Sequence, residues 1–89
     1  MKIDVTKLKD KDLFMYFTHS HPDKEVRSLV QILPLTGISD DKTISILKSL
    51  RDNTHKLVAV YDRNVPSGAS IVGAIPDGTL YLVRMSTKV

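Results

Sequence analysis

Two histidines, His19 and His21, are the side chains best equipped for metal chemistry. Imidazole nitrogens are common zinc ligands, and two of them so close in sequence can share one ion. A zinc site needs a third protein ligand, and a catalytic one also needs a general base. The chain has no cysteine, which excludes thiolate zinc sites, iron–sulfur clusters, disulfides and a cysteine nucleophile.

The segment around these histidines, His19-Ser20-His21-Pro22, resembles the His-x-His-Pro motif of the JAMM-type zinc peptidases. In that family a glutamate precedes the motif and Ser-x-x-Asp follows it. Here no glutamate lies before His19, and Ser28 is followed three residues later by Gln31. The chain of 89 residues is also too short for that fold. The segment therefore predicts a polar turn between two helices, with no metal and no other cofactor.

Other catalytic arrangements find no support in the sequence. There is no Gly-x-Ser-x-Gly motif and no phosphate-binding glycine loop. Asp40 and Asp41 are paired carboxylates, but neighbours on a helix point about 100° apart and do not form an acid–base pair. We therefore expect a protein that is not an enzyme.

Length and charge indicate one small domain, residues 1–89. Lysine and arginine total 13 against 10 aspartates and glutamates, so the net charge is +3. This excess permits nucleic-acid binding without demanding it, and it is spread evenly along the chain. No apolar run approaches membrane-spanning length, and the first residues lack a signal sequence. These features predict a cytoplasmic protein that does not bind membranes.

Three helices are predicted in the first half of the chain, over residues 10–18, 22–33 and 39–53. Asp10 or Asp12 is expected to cap the first helix and Ser20 or His21 the second, which then begins at Pro22, because a helix tolerates proline in its first turn. Pro34 is expected to end the second helix. Gly37 supplies a positive φ angle before the third helix, which Ser39 caps.

The third helix is expected to bury one face and expose the other. Its apolar spacing predicts that Ile44, Leu47 and Leu50 lie in the core. The predicted solvent face consists of Lys42, Ser45, Lys48, Ser49, Arg51 and Asp52.

The second half of the chain is rich in strand-forming residues. Strands are predicted over residues 57–61, 70–75 and 79–85. The Pro-Asp-Gly sequence at 76–78 is a strong turn signal, so the last two strands should form a hairpin. The expected fold class is α+β, with a helical core followed by a small antiparallel sheet.

This order of elements resembles the winged helix-turn-helix family. The resemblance rests on residues 26–58: an apolar helix, the turn Leu35-Thr36-Gly37-Ile38-Ser39, a second apolar helix and the pair Leu57-Val58. In that family a similar Gly-Ile-Ser turn leads into a recognition helix, and a β-hairpin wing follows. The resemblance implies a DNA-binding transcriptional regulator whose third helix, 39–53, enters the major groove of double-stranded DNA.

Carried over by position, the resemblance assigns DNA contacts to two regions. Lys42 and Lys48 would meet phosphate or guanine, and Ser45 and Ser49 would hydrogen-bond to either. The wing would be the turn at 63–68 or the turn at 76–78. In the first case the residues at its tip are Arg63 and Asn64.

One departure from the family supports a second hypothesis. Asp40 and Asp41 stand at the start of the presumed recognition helix, where they would face phosphate and weaken DNA binding. They also stabilise a helix N-terminus, whatever the helix binds. The alternative is therefore a protein-interaction module on the same fold, such as an inhibitor or adaptor of a nucleic-acid machine. Under either hypothesis the chain can form a homodimer.

Overall fold

The fold is α+β, with three helices followed by a three-stranded antiparallel sheet. The computed structural model describes residues 4–61, 64–75 and 80–87. The predicted fold class is therefore confirmed at the level of its elements. Within the described ranges, every helix is too short or too polar to cross a membrane.

The helices lie between Val5 and Arg51. Helix α1 (Asp10–Met15) continues into a π-helical turn, Tyr16–Ser20. Helix α2 (Lys24–Ile32) continues into a 3₁₀ turn, Leu33–Thr36, and helix α3 spans Asp40–Arg51. A short 3₁₀ turn at Val5–Lys7 precedes them. The three predicted helices are thus present, although their ends differ from the predicted ones.

The predicted caps of the first two helices are wrong. Lys9 is the N-cap of α1 and makes no side-chain cap bond, while both predicted caps, Asp10 and Asp12, lie within the first turn. Helix α2 begins at Lys24 and not at Pro22, the predicted start. Asp23 caps it by accepting a 2.9 Å hydrogen bond from the Glu25 N–H. A short carboxylate reaches the free N–H groups of a first turn, so the best capping side chain sets the boundary.

The connection between α2 and α3 follows the prediction more closely. Pro34 does not end the helical path, because it lies in the first turn of the 3₁₀ segment, where its missing N–H is tolerated. Gly37 has a φ of 78°, and Ser39 caps α3 by accepting a 3.2 Å bond from the Lys42 N–H. The glycine and the cap therefore confirm the predicted turn.

The buried face of α3 is rotated from the predicted one. Thr43, Ile46 and Leu47 are buried, whereas Ile44 and Leu50 are half-buried. Thr43 enters the core because its hydroxyl donates to the Ser39 carbonyl at 3.0 Å, leaving only its methyl group to pack. Leu50 still packs against the core, but Ile44 does not.

The sheet has the order β1-β3-β2, with β1 at His55–Tyr61, β2 at Ser70–Ala74 and β3 at Leu80–Ser86. Both outer strands are antiparallel to β3, so β2 and β3 pair as predicted. The predicted turn at 76–78 lies outside the described residues.

One face of the sheet packs against the helices. Leu57, Val72 and Leu82 belong to the same buried cluster as side chains from all three helices, the π-helical turn and the 3₁₀ turn: Leu13, Phe17, Leu29, Val30, Leu33, Ile46 and Leu47. At Gly73 a Cβ atom would lie 2.5 Å from the Thr36 side chain. A strand glycine thus allows β2 to dock directly on the 3₁₀ turn before α3.

The opposite face of the sheet is also covered at its centre. Val83 is fully buried, although it pairs with Val58 and Ile71 outside the main core cluster. Strands β1 and β2 run parallel at opposite edges of the sheet, and the chain from residue 64 to residue 69 belongs to the connection between them. The half-buried Val65 and Ala69 belong to this connection.

Candidate nucleic-acid or protein interface

Four of the predicted DNA-contacting residues lie on α3, and the structure gives them different surroundings. Lys42 and Ser45 are exposed. Lys48 is half-buried, and its Nζ lies 3.0 Å from the Asp10 Oδ2 on α1. Ser49 is also half-buried, and its hydroxyl donates to the Ile46 carbonyl at 2.7 Å. Two of the four polar groups therefore already have partners within the protein.

The residues assigned to a wing are only partly described. Asn64 is exposed in the connection between β1 and β2, and its N–H donates to the Tyr61 carbonyl at 3.1 Å. Arg63 lies outside the described residues, as does the turn at 76–78. The wing assignment stays a prediction.

The outward stripe of α3 carries both signs of charge. Asp41, Ser45, Lys48 and Asp52 recur at helical spacing opposite the buried face. Lys48 is paired with Asp10, and Asp52 accepts a 2.9 Å bond from the Arg51 Nε. This stripe is therefore not a basic surface.

At the C-terminal end of the stripe, an ion pair keeps Arg51 and Asp52 charged. The hydrogen bond from Arg51 lowers the pKa of Asp52 below its usual value, against a smaller desolvation effect in the other direction. The same bond raises the pKa of Arg51. Both groups are thus charged and mutually compensated at neutral pH. Asp40, Asp41 and Lys42 form no ion pair within the described part of the chain.

Two adjoining clefts lie along α3, and we call them together the α1–α3 groove. The first cleft has a volume of about 370 Å³ and the second of about 420 Å³. Ile44 lines both. The first is otherwise lined by Phe14, Pro34, Ile38, Asp40 and Thr43, and the second by Asp10, Asp41, Ser45 and Lys48. The groove thus combines an apolar half with a charged half.

Ile44 is the residue of the groove that was predicted wrongly from the sequence. It is half-exposed and, unlike Phe14 and Ile38, it does not pack against the buried core cluster. An apolar spacing of three and four is satisfied equally by positions 43, 46, 47 and 50 if threonine counts as apolar. Counting threonine as apolar therefore places Ile44 outside the buried face of α3.

The two histidines of the His-Ser-His-Pro segment have separate partners. His19 is exposed, with its Nδ1 2.7 Å from the Thr18 Oγ1. His21 accepts a 3.0 Å bond from the Asp23 N–H, and its ring stacks on Phe17. Across residues 4–61, 64–75 and 80–87, no three histidine, aspartate or glutamate side chains are grouped closely enough to hold a metal ion.

A smaller cavity, which the sequence did not predict, lies between the π-helical turn, the C-terminal end of α3 and the start of β1. We call it the histidine pocket. It has a volume of about 160 Å³ and is lined by Phe17, His21, Val26, Leu50, Asn53, His55, Lys56 and Leu57. Its two histidines are 34 positions apart (21 and 55), so no local sequence pattern could have brought them together.

Comparisons of the chain with protein-family models, with curated proteins and with solved structures found no match in any of the three. The function must therefore be inferred from the α1–α3 groove and its charges. Two features of the groove bear on it. Apolar side chains are exposed there beside carboxylates, and the cations nearest to it on α3 differ in whether they are already paired.

Proposed function

We propose that the protein is a protein-interaction module that binds a segment of a partner protein in the α1–α3 groove. The observation that carries this proposal is Ile44, an apolar side chain between two clefts that lies outside the buried core cluster and the side chains packed on it. Partly exposed apolar side chains grouped in a concave surface are typical of peptide-binding sites.

The apolar half of the groove supplies the affinity. Phe14, Pro34, Ile38 and Ile44 line it, and all except Pro34 are half-buried. Fully burying an aliphatic or aromatic side chain contributes about 1.5–3 kcal/mol, and these residues have part of that burial still to gain. One bulky apolar side chain of a partner, inserted beside Ile44, would remove the remaining surface from water.

Two carboxylates supply the selectivity, Asp40 beside the apolar half and Asp41 in the charged half. Both are exposed, and neither has an ion pair in the described chain. A lysine or arginine of the partner next to its apolar anchor would complement them. Exposed ion pairs contribute only about 0.2–1 kcal/mol each, so they select a basic segment more than they strengthen its binding.

Double-stranded DNA is the competing partner, and the net charge of +3 favours it. Under that hypothesis the first turn of α3 approaches phosphates, where Lys42 attracts and two carboxylates repel. Lys48 would have to leave Asp10 before it could contact DNA. These charges favour a protein partner for this face, and DNA binding by a transcriptional regulator stays a prediction.

A peptide-display selection on the immobilised protein tests the proposal. We expect enrichment of sequences with a bulky apolar residue flanked by lysine or arginine. Selection on the Ile44→Asp variant, checked for folding by circular dichroism, should lose that enrichment because a charge then occupies the apolar half. If both proteins select the same sequences, or if acidic sequences are enriched, the groove is not the docking site.

A pair of charge variants separates the groove from general electrostatics. Asp40→Asn combined with Asp41→Asn removes the groove's unpaired carboxylates. Asp12→Asn removes an exposed carboxylate of α1 that does not line the groove. A selected peptide should bind the double variant more weakly and the Asp12 variant as well as wild type. Equal losses per charge in both would mean that only net charge matters.

Duplex DNA provides the other arm of the experiment. Retention of a short duplex at micromolar protein and about 50 mM salt, weakened by Lys42→Ala, would favour the DNA hypothesis. In that case Asp40→Asn with Asp41→Asn should strengthen binding, because two negative charges near phosphate are removed. We expect that neither the wild type nor the Asp40→Asn, Asp41→Asn variant retains the duplex, because the α3 face is not a basic surface.

A further inference from the structure

A π-helical turn builds one wall of the histidine pocket. The His21 N–H donates to the Tyr16 carbonyl at 2.9 Å, five residues back, which closes the turn. The turn places the Phe17 and His21 rings face to face, with centroids 5.5 Å apart and an interplanar angle of 23°. Single π-helical turns are rare in proteins and frequently lie at functional sites. Here the turn directs an aromatic ring and an imidazole to the same cavity.

The other walls of the pocket are mainly apolar. Val26 of α2, Leu50 of α3 and Leu57 of β1 line it together with Phe17. Its volume of about 160 Å³ is close to that of cavities of about 150 Å³ that accept a benzene molecule. The pocket therefore has room for one small ring.

Hydrogen bonds fix which nitrogen of His21 carries the proton. Its Nδ1 accepts the Asp23 N–H at 3.0 Å, so Nδ1 must hold a lone pair. The proton of the neutral ring is then on Nε2. Within the part of the chain that the structure describes, Nε2 has no hydrogen-bond partner and can donate to a ligand.

His55 has the opposite tautomer. The Thr54 hydroxyl donates to the Ser49 carbonyl at 3.2 Å, so its oxygen accepts from the His55 Nδ1–H at 3.1 Å. The neutral ring therefore leaves a lone pair on Nε2. Protonation of His55 would convert that acceptor into a charged donor.

The titratable groups that line the pocket are all bases. The titratable residues that line it are His21 from the π-helical turn, and His55 and Lys56 from β1. Neither α2 nor α3 contributes a titratable residue to the lining. The Tyr16 ring contacts His21 edge-on, and the Asp23 carboxylate is engaged by the Glu25 N–H.

We propose that the histidine pocket binds a small aromatic carboxylate. The ring would occupy the apolar cavity beside Phe17, and the carboxylate would accept hydrogen bonds from the imidazoles of His21 and His55. The neutral His21 ring donates from Nε2, whereas His55 must take up a proton before its Nε2 can donate, so binding of an anion is coupled to protonation of His55 and strengthens as the pH falls. This site is separate from the α1–α3 groove, and the two proposals stand independently.

Titration of the isotope-labelled protein with benzoate, followed by amide chemical shifts, tests this proposal. We expect saturable shifts around the pocket and an affinity about fivefold higher at about pH 5.5 than at about pH 7.5. Benzamide, a neutral molecule of the same shape, should bind without that pH dependence, and acetate, which lacks the ring, should not bind. Unsaturable benzoate shifts, or equal pH behaviour of benzoate and benzamide, would overturn the proposal.

A matched pair of histidine variants locates the effect. His55→Gln should abolish most of the pH dependence of benzoate binding, because one titrating donor is removed. His19→Gln, at an exposed histidine that does not line the pocket, should keep it. If His19→Gln and His55→Gln behave alike, the pH dependence does not arise in the pocket and the proposal is wrong.

Discussion

The two ends of α3 differ in how their polar groups are used. At the C-terminal end, Arg51 bonds to Asp52 and to the Leu8 carbonyl, and Thr54 donates to the Ser49 carbonyl. At the N-terminal end, Asp40 and Asp41 are exposed without ion pairs in the described chain, beside an isoleucine that the core does not use. One end is joined to the rest of the domain, and the other is open.

The polar groups at the C-terminal end make contacts within the domain, whereas those at the N-terminal end are available to a partner. The residues that follow α3 are also bonded to the end of the sheet, because the Thr87 N–H, just after β3, donates to the Thr54 carbonyl at 3.0 Å. Changes at the C-terminal end should therefore cost stability, whereas most changes at the N-terminal end should affect binding.

Leu47→Ala, at the centre of α3, should lower the stability of the fold more than a substitution at either end of the helix. Leu47 is fully buried in the core cluster, and truncating such a leucine typically costs about 2–5 kcal/mol. In a domain of this size the loss is a large part of the total free energy of unfolding. Urea denaturation followed by circular dichroism measures it. A loss below about 1 kcal/mol would mean that α3 is not packed as described.

Thr54→Val tests the closed end of α3 with a change that keeps the shape of the side chain. The variant removes the hydroxyl that bonds to Ser49 and His55, so we expect a loss of about 1–2 kcal/mol in the free energy of unfolding. The same denaturation experiment measures it. A neutral result would show that the Thr54 hydroxyl does not stabilise this end.

Ile44→Ala tests the open end and should change stability much less than Leu47→Ala. Ile44 is half-exposed and outside the core cluster, so we expect an effect within about 0.5–1 kcal/mol. Thermal unfolding of the two variants side by side gives the comparison. Similar losses of stability in Ile44→Ala and Leu47→Ala would mean that Ile44 is part of the core after all.

Acid should weaken the Arg51–Asp52 pair, with the smallest effect of the set. Because the pKa of Asp52 is lowered in the folded protein, the pair stabilises the fold above the usual aspartate pKa of 3.8, and this contribution is lost as the pH falls further. Asp52→Asn should therefore lower the melting temperature slightly at neutral pH and have no effect near pH 2. An equal effect at both pH values would exclude the ion pair as the cause.

Much of the fold could be predicted from the sequence because its signals are local. Gly37 and Ser39 specify a turn and a cap within three residues, and the turn signal at 76–78 predicts the pairing of β2 with β3. The start of α2 was misplaced because Asp23 and Pro22 compete for the same boundary. Sequence pattern alone does not rank a capping carboxylate above a proline.

The candidate sites were harder to predict because they depend on contacts between distant residues. The pairing of Lys48 with Asp10 joins α3 to α1 across 38 positions (48 minus 10), and it changes a predicted DNA contact into an internal ion pair. The outward position of Ile44 depends on the rotation of α3 against the core, which Thr43 makes possible. The ion pair has no signature in local spacing, whereas the position of Ile44 follows from local spacing only if Thr43 counts as apolar.

The most direct test of the central claim is the affinity of a groove-selected peptide for wild type and for Ile44→Ala. Because this variant should remain as stable as wild type within about 0.5–1 kcal/mol, a change in affinity reports on the groove itself. We predict a peptide affinity about tenfold lower in the variant, corresponding to about 1.4 kcal/mol of lost apolar contact. Unchanged affinity would contradict the assignment of the α1–α3 groove as a protein-binding site.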